Sequence, residues 1–364
     1  MEMGRSVLNC AVLVLFILCA GYSARMGMKK ERDMSICNAL EGSPIELLEA
    51  AQRGRRMVVV GDIHGAYDGL REILQEANVI TSAGDKCEWK EQEEPGTILL
   101  QIGDVVDRGP GSLEAWRCLT DLAHNAPTHS EAVLILGNHD LWWLKGYFAD
   151  RNEETDVKAN IMEILQLMRK ALFDGDMRGA YLHHIRGIDI IFTHAGFRPE
   201  MLTAIKGHVG ANNFTTGNLV QFYNDKVAEH SNCSSLFCPF RDEMFGAGPD
   251  RGGHGIGGPL WTDFGVLEDA ARRKRLPPNI IQVVGHSIAD CFRKNGEVPM
   301  EESASCARGL VRATDSLHAI CVDGGMFLGA RAFLEITSSG SLLNHQQTLP
   351  SLSKGTATGK WVTT

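Results

Sequence analysis

Residues 97–109 read TILLQIGDVVDRG, an apolar segment that passes directly into two aspartates and an arginine. The apolar run has no helical period and ends at Gly103, which predicts a buried strand of a parallel sheet. Asp104, Asp107 and Arg108 follow at its carboxyl end, where ligands bind in open α/β sheets. Carboxylates suit hard cations and a guanidinium suits phosphate, so the segment predicts a metal-plus-phosphate site. A salt-bridged turn would give the same local pattern, so the neighbouring segments decide.

The neighbouring segments predict an α/β fold. Apolar runs at 56–60 and 132–136 flank the central strand and end in GDIHG and GNHD. Segment 68–77 has the apolar spacing of an amphipathic helix, and 113–123 is predicted as a second helix. The alternation of strands and helices indicates a β-α-β-α-β parallel sheet with right-handed crossovers. Further along we predict a helix over 158–173, a strand pair within 180–197, and strands at 280–284, 317–322 and 330–336.

Polar motifs close five of the predicted strands. In chain order they are Asp-x-His at 62–64, Asp-x-x-Asp-Arg at 104–108, Asn-His-Asp at 138–140, His-Ala-Gly at 194–196 and Gly-His at 285–286. Each motif alone is a weak indication, because such tripeptides are common. Their order, and their shared position after apolar strands, make the set specific.

This ordered set resembles the metallophosphoesterases, and among them the phosphoprotein phosphatase (PPP) superfamily, over about residues 56–337. The resemblance is strongest to the Shewanella-like (Shelph) branch. It rests on a long charged spacer between the first two motifs and on NHDLWWL at 138–144, GPLW at 258–261 and VDGGMFLGARAFLEI at 322–336. The implied metallophosphoesterase fold is a β-sandwich of mixed sheets, flanked by helices, with a dinuclear metal site at the strand ends.

The resemblance also implies a role for each motif residue. His139 would be the general acid, Asp107 would orient it, and Arg108 would hold the phosphate. Two divalent metal ions (Mn, Fe or Zn) would generate a bridging hydroxide that attacks phosphorus in line. One ion would be bound by Asp62, His64 and Asp104, and the other by Asp104, Asn138, His194 and His286.

Two features depart from the family pattern, and three further residues near the motifs are predicted to have structural roles. Asp140 stands where Ser/Thr phosphatases usually have glutamate, a feature shared with nucleoside tetraphosphatases. No second phosphate-binding arginine follows Trp261 closely, so Arg251 is the substitute that we predict. Trp142 and Trp143 are predicted to pack the domain rather than bind substrate, and Asp323 to support the site.

The predicted function is a metal-dependent phosphoprotein phosphatase acting on phosphorylated protein. Relatives in the resembling branch prefer phosphotyrosine, so that preference is implied here. The alternative is a dinucleoside tetraphosphatase-like hydrolase with the same chemistry. A third hypothesis, a non-catalytic binding protein with a relict metal site, is disfavoured because every ligand position is present, together with His139 and Asp107.

Composition and the terminal segments bound the rest. The chain has 364 residues and a net charge of −9, which argues against a nucleic-acid partner. The apolar run 7–20 after Arg5 predicts a signal peptide within residues 1–30, and hence the secretory pathway, with an uncleaved membrane anchor as the alternative. We predict a lead-in at 31–55, a phosphoesterase domain at 56–337 with a cap at 198–260, and a disordered tail at 338–364. Among the ten cysteines, Cys233–Cys238 and Cys291–Cys306 are the predicted disulfide pairs.

Overall fold

The computed structural model describes residues 54–81, 86–90, 95–148, 155–233, 235, 237–288, 312–314, 318–344 and 347–348. All of them belong to one unit, which begins at residue 52. The predicted signal peptide, almost all of the lead-in, the Cys291–Cys306 pair and the end of the tail lie outside the described residues.

The predicted strands and helices are present, with ends that differ by a few residues. The elements, in chain order, are β1 (Arg56–Val60), α1 (Tyr67–Glu76), β2 (Thr97–Gln101), α2 (Ser112–His124), β3 (Glu131–Ile135), α3 (Asn138–Leu144), α4 (Thr155–Asp174), β4 (Met177–Arg178), β5 (Ala180–Ile185), β6 (Ile188–Thr193), α5 (Pro199–Val209), α6 (Thr216–Ser231), α7 (Phe264–Arg272), β7 (Ile280–Val284), β8 (Arg312–Ala313), β9 (Ala319–Cys321), β10 (Phe333–Ile336), β11 (Leu342–Asn344) and β12 (Gln347–Thr348).

Two mixed sheets organise these elements. The first has the strand order β12-β11-β10-β1-β2-β3-β4, in which β1, β2, β3 and β4 are parallel and β10 is antiparallel to β1. The second has the order β5-β6-β7-β9-β8, with β6, β7 and β9 parallel and the two outer strands antiparallel to their neighbours. The crossover from β1 through α1 to β2, and from β2 through α2 to β3, is the predicted β-α-β-α-β unit.

Alternate residues of the central strands pack in opposite directions. On β1, Met57 and Val59 join a cluster that also contains Phe192 of β6 and Val283 of β7, so this cluster fills the space between the sheets. Val58 and Val60 instead pack with the apolar faces of α1, α2 and α4. Both sides of the strands are therefore buried, which is why they read as continuous apolar runs. The α/β class and the helix-flanked sandwich are confirmed.

The structure adds detail to the predicted outline and corrects it at the tail. The region 198–260, predicted as a cap, contains the helices α5 and α6. Part of the segment assigned to a disordered tail forms β11 and β12, because β11 pairs with β10 along its length. The charged spacer is anchored at Cys87, which forms an unpredicted disulfide with Cys118 of α2.

The predicted Cys233–Cys238 disulfide is present. Within the described ranges, no helix combines the length and the apolar character that crossing a membrane requires.

Candidate metal centre

The five motifs lie together because the two sheets direct their strand ends to one edge of the sandwich. Asp62, Asp104 and Asn138 follow β1, β2 and β3 of the first sheet, whereas His194 and His286 follow β6 and β7 of the second. Backbone hydrogen bonds join neighbouring loops: the amides of Ile63 and His64 both donate to the carbonyl of Asp104, at 3.0 and 2.9 Å. The amide of Gly285 likewise donates to the carbonyl of His194 at 2.7 Å.

Backbone strain is concentrated in these loops. His64, Asp104, Asp107, Arg108 and His286 all have positive φ, between 48° and 70°. Residues with a β-carbon rarely adopt this left-handed conformation, and where they do, the cost of about 1–3 kcal/mol each is usually associated with function. The loops therefore aim these five side chains at some expense in stability.

Four ligand atoms from four different loops converge on one point. Asn138 Oδ1 lies 2.8 Å from His194 Nε2 and 2.9 Å from His286 Nδ1. The two histidine nitrogens are 3.2 Å apart, and His194 Nε2 is 3.4 Å from Asp104 Oδ2. Imidazole and carboxylate ligands bind a transition metal at about 2.0–2.2 Å, so atoms with this mutual spacing can share one cation.

A second group lies on the other side of Asp104. His64 Nε2 is 3.6 Å from Asp104 Oδ2 and 4.0 Å from Asp62 Oδ2. All three side chains are buried. Since Asp104 takes part in both groups, its carboxylate would be the ligand that two cations share.

Hydrogen bonds set which ring nitrogen faces each group. His64 Nδ1 donates to the carbonyl of Val106 at 2.9 Å, and His194 Nδ1 donates to the carbonyl of Ile102 at 2.8 Å. Because a carbonyl can only accept, Nδ1 carries a proton in each ring and Nε2 faces the carboxylates. Metal-ligating histidines are commonly oriented in this way. Burial lowers the pKa of the His194 imidazole, but the charges of Asp104 and Asp62 raise it to about 10 overall, so Nε2 of His194 must lose a proton before it can bind a cation. His286 presents Nδ1 instead, and its buried Nε2 has no hydrogen-bond partner among the described residues.

The charges of this cluster are unbalanced in a way that a cation would relieve. Burial raises the pKa of Asp62 well above its usual range, and the nearby carboxylates of Asp323 and Asp104 raise it further. Burial would also raise the pKa of Asp104, but the adjacent His194 and His139 hold it well below its usual range. Burial lowers the pKa of His64 to about 4 and that of His286 well below its usual range, so both are neutral and able to act as ligands. Buried carboxylates are costly without a counter-charge, so the donor set fits two divalent metal ions.

The predicted acid pair is present beside the ligands. His139 Nδ1 lies 2.6 Å from Asp107 Oδ2, and the His139 amide donates to Asp104 Oδ1 at 2.8 Å. Burial lowers the pKa of the His139 imidazole, but the Asp104 charge and the bond to Asp107 raise it above its ordinary value overall. A raised pKa keeps the ring protonated, as a general acid requires.

Trp143 forms a hydrogen bond with Asp107 of this pair, in addition to the packing role that was predicted for it. Its indole Nε1 donates to Asp107 Oδ1 at 2.8 Å, so both oxygens of the Asp107 carboxylate are fixed. Only the sequence adjacency of Trp143 to NHD pointed toward the site, and that adjacency does not reveal which way an indole faces.

Asp140 joins the second and third loops. Its carboxylate accepts from the amides of Asp104, Val105 and Gly137, at 2.8, 3.1 and 3.1 Å. Burial and the charge of Asp104 raise the pKa of Asp140 to about 7. Asp140, which replaces the glutamate of Ser/Thr phosphatases, therefore positions Asp104 and the start of α3. Its carboxylate is bound to backbone amides and is not directed at substrate.

The two arginines differ in their placement. Arg108 is exposed at the rim, with its guanidinium 4.5 Å from the centroid of the Phe327 ring. Arg251 lies in a short 3₁₀ helix and pairs with Asp263 at 3.1 Å. The charge of Arg251 contributes to the lowered pKa of His286, but Arg251 forms no hydrogen bond with the predicted metal ligands.

Asp323 is buried near Asp62, and its carboxylate accepts a hydrogen bond from the amide of Gly325 at 2.9 Å, in line with the predicted supporting role.

Half-buried aromatic side chains surround the cluster, and sequence analysis assigned none of them to the site. Trp142 lies against His139 with ring centroids 5.0 Å apart, and Trp261 is 6.0 Å from the ring of His286. Phe327 is 5.4 Å from the ring of His64. Their positions depend on how separate loops pack.

Comparisons with known proteins agree with this geometry. Residues 55–288 match the model of the calcineurin-like phosphoesterase family. The symmetrical bis(5'-nucleosyl)-tetraphosphatase of Photorhabdus laumondii is 30% identical over 152 residues, which cover 39% of this chain and 44% of that protein. The corresponding protein of Xanthomonas oryzae is 32% identical over 145 residues, or 40% of each chain. The match thus spans less than half the length of these curated relatives.

Solved structures show the same fold. The cold-active protein-tyrosine phosphatase of a psychrophilic Shewanella species has a TM-score of 0.50 at 19% identity, covering 81% of this chain and 80% of that one. Another structure of a cold-active protein tyrosine phosphatase has a TM-score of 0.51 at 18% identity, covering 82% and 79%. At these identities the likeness concerns the fold alone.

Proposed function

The chain belongs to the calcineurin-like phosphoesterase family, and on that premise we propose that it is a phosphoprotein phosphatase that hydrolyses phosphomonoesters, with a preference for phosphotyrosine. The observation that carries the proposal is the convergence of Asn138, His194 and His286, with ligand atoms 2.8–3.2 Å apart, beside the His139–Asp107 pair. A relict site would not be expected to keep the acid pair and the ligands together.

Each predicted site residue has a separate role in the proposed hydrolysis. Bound divalent cations supply the charge that neutralises phosphoryl oxygens and lowers the pKa of water. Asp62, His64, Asp104, Asn138, His194 and His286 hold those cations in our proposal. His139 donates a proton to the departing oxygen, and Asp107 stabilises the ring as it does so. Arg108, exposed at the rim, binds the phosphate with a planar fork that lysine cannot reproduce. Arg251 reaches the phosphate only if it leaves Asp263.

The second candidate is a dinucleoside tetraphosphatase. Two observations favour it: relatives that match at 30% and 32% identity carry that name, and Asp140 stands where Ser/Thr phosphatases usually have glutamate. Both candidates require the same metal-assisted chemistry and differ in the group attached to the phosphate.

The test is phosphate release with added Mn²⁺ from three substrates compared in parallel: a phosphotyrosine peptide, a phosphoserine peptide of otherwise identical sequence, and diadenosine tetraphosphate. We expect release from the phosphotyrosine peptide to exceed the other two and to vanish in Asp104→Asn. Glu163→Gln on α4, whose side chain is 43% exposed and pairs with Arg117, is the control and should keep full activity. A preference for the dinucleotide would replace the first candidate with the second. Turnover that persists in Asp104→Asn would contradict both.

We propose that the protein enters the secretory pathway, with membrane association through its N-terminal segment as the alternative. Disulfides at Cys87–Cys118 and Cys233–Cys238 support an oxidising compartment. Amino-terminal sequencing of the protein recovered from a eukaryotic host should give a chain that begins near residue 25–30. An intact amino terminus in the membrane fraction would favour the anchor.

A further inference from the structure

Two tryptophans lie next to the proposed general acid, and the chemistry derived above uses neither. Trp142, on α3, has its ring centroid 5.0 Å from His139, inclined at 60°. Trp261 is 5.0 Å from Trp142, at 53°, and 6.0 Å from His286. Both residues are half-buried, so neither is sealed inside the core. The pair forms an aromatic wall that runs from the acid to a metal-ligand histidine.

This wall is held in place from behind. Trp261 Nε1 donates to the carbonyl of Phe245 at 3.2 Å, and the Trp261 amide donates to the carbonyl of Gly258 at 3.0 Å. Trp142 is carried on α3, the helix that also contains His139 and the buried Trp143. Aromatic surface that is held in advance binds a flat ring at low cost in conformational entropy.

The group that lies against Trp142 is set by the position of the acid. His139 delivers its proton to the departing oxygen, so whatever is bonded to that oxygen must lie beside the imidazole. In a phosphotyrosine this group is the phenyl ring itself. In a phosphoserine it is a methylene group, and in a dinucleoside tetraphosphate it is another phosphate, with ribose and base farther away. An aromatic wall in contact with the acid therefore fits an aryl ester better than either rival.

We propose that Trp142, supported by Trp261, is a specificity-determining residue that binds the aryl ring of an aryl phosphate monoester. This inference rests on the proposed phosphatase function and deepens it, since it names the part of the substrate that is selected and the side chain that selects it. Offset or inclined aromatic pairs with centroids about 4.5–7 Å apart are favourable beyond the burial of their area.

Phe327 provides the matched comparison. It is also half-buried, but its ring lies under the guanidinium of Arg108 at 4.5 Å and against His64 at 5.4 Å, whereas the ring of Trp142 contacts His139 itself. Loss of its ring disturbs the group that holds the phosphate, which every phosphomonoester shares. Phe327→Leu should therefore weaken all substrates alike, whereas Trp142→Leu should act on aryl esters alone.

The experiment uses the full-length chain with Mn²⁺ and measures kcat and KM for the phosphotyrosine and phosphoserine peptides of identical sequence. For Trp142→Leu we expect kcat/KM on the phosphotyrosine peptide to fall about 3- to 10-fold, chiefly through KM, with little change on phosphoserine. Trp142→Phe should recover most of the loss. Trp89→Leu is the control, because Trp89 is half-buried like Trp142 but lies in the charged spacer, where its indole donates to Leu122.

A binding measurement separates this inference from the proposed function. Phenylphosphonate and methylphosphonate differ only in the aryl group and are not hydrolysed, so their dissociation constants report the aryl contact without turnover. We expect phenylphosphonate to bind more tightly, and Trp142→Leu to abolish the difference. An unchanged preference in Trp142→Leu, or an equal loss of kcat/KM on both peptides, would overturn the inference while the phosphatase function stands. A wild-type chain that hydrolyses neither peptide would overturn the proposed function, and the phosphonate preference would still decide the aryl contact.

Discussion

At the scale of single residues, the structure shows contacts to the proposed site from side chains that lie outside the five motifs. Trp143 is the clearest case, since its indole holds the second oxygen of the carboxylate that orients His139. A tryptophan in a buried helix is usually understood as packing alone. Here its one polar atom connects the packed interior to the proposed acid.

Trp143→Phe should lower kcat by several-fold and leave KM nearly unchanged, because the ring still packs but Asp107 loses one donor. The lost hydrogen bond should also reduce the free energy of unfolding by about 1 kcal/mol. Trp116→Phe is the matched control: Trp116 is equally buried, and its Nε1 has no partner in the part of the chain that the structure describes. Equal kinetic losses in the two variants would contradict a positioning role for Trp143.

His183 links one buried side chain to the pH dependence of stability. It lies on β5, 2% exposed, and its Nδ1 meets no partner within the described ranges. Its neighbour His184 contacts Asp189 at 2.5 Å. Burial lowers the pKa of His183 to about 4, and the charges of Arg55 and His184 act in the same direction.

The lowered pKa of His183 makes the free energy of unfolding depend on pH. Between pH 6.5 and 4 the unfolded chain binds a proton at His183 that the folded chain does not, so stability falls as the pH falls through this window. From pH 7 to pH 5 this one group should cost about 2 kcal/mol.

His183→Leu should remove that increment, which urea unfolding at pH 7 and pH 5 would measure as a smaller pH dependence than in the wild type. His254→Leu, at an exposed position, is the control and should match the wild type. An unchanged pH dependence in His183→Leu would show that His183 is not the group responsible.

At the scale of elements, two strands each use a buried glutamine to fix a loop. Gln101 of β2 accepts from the amide of Gly103 at 3.0 Å and donates to its carbonyl at 2.6 Å, just before Asp104. Gln282 of β7 accepts from the amide of Phe197 at 2.6 Å and donates to its carbonyl at 3.1 Å. Phe197 follows the loop that carries His194. Both loops are thus held to a strand by a side chain that satisfies one backbone amide and one carbonyl.

Gln282→Met keeps the volume and removes both hydrogen bonds, leaving the buried backbone groups of Phe197 unpaired. We expect the free energy of unfolding to fall by about 2–4 kcal/mol, and Mn²⁺ affinity, measured by isothermal titration calorimetry, to fall about 10-fold because His194 shifts. Gln221→Met on α6, where the side chain is exposed and its amide donates to Asp225, should change neither quantity. A folded Gln282→Met variant with wild-type Mn²⁺ affinity would mean that the loop holds His194 without this contact.

At the scale of the whole molecule, the proposed centre joins the two sheets. The first sheet supplies Asp62, Asp104 and Asn138, and the second supplies His194 and His286, so one cation would be shared across the sandwich. A cation bound at this junction stabilises the folded chain, because the unfolded chain cannot assemble the same ligands.

Removal of metal by EDTA should therefore lower both activity and the melting temperature, and Mn²⁺ should restore both. At a free-metal concentration about 100 times Kd, the stabilisation should be about 2.7 kcal/mol. Asp104→Asn, which alters the shared carboxylate, should show little response of its melting temperature to Mn²⁺. A melting temperature of the wild-type chain that is the same with and without metal would contradict a centre that joins the sheets.

Local sequence was sufficient for the elements, whereas the proposed metal ligands were named through the resemblance of the ordered motifs to a known family. Strands such as β1 and β2 are continuous apolar runs closed by glycine, and helices such as α1 show their periodicity within ten residues, so short-range pattern determines them. The contact between His139 and Asp107 was likewise expected, since the family resemblance implies that Asp107 orients His139. Cys87–Cys118 was missed, since a disulfide depends on how a spacer folds onto a helix.

Tertiary structure alone decided how those residues meet. His194 and Asn138 are 56 positions apart in the sequence but in contact, and the Trp142–Trp261 wall brings together side chains from separate loops. The ring of Phe327 under Arg108 and the carboxylate of Asp140 on three amides depend equally on the packing of loops. Sequence determines which groups stand at the strand ends, because each strand and turn responds to its own residues. Distances and side-chain directions between those ends arise only when two sheets pack, since they depend on contacts between residues far apart in the chain.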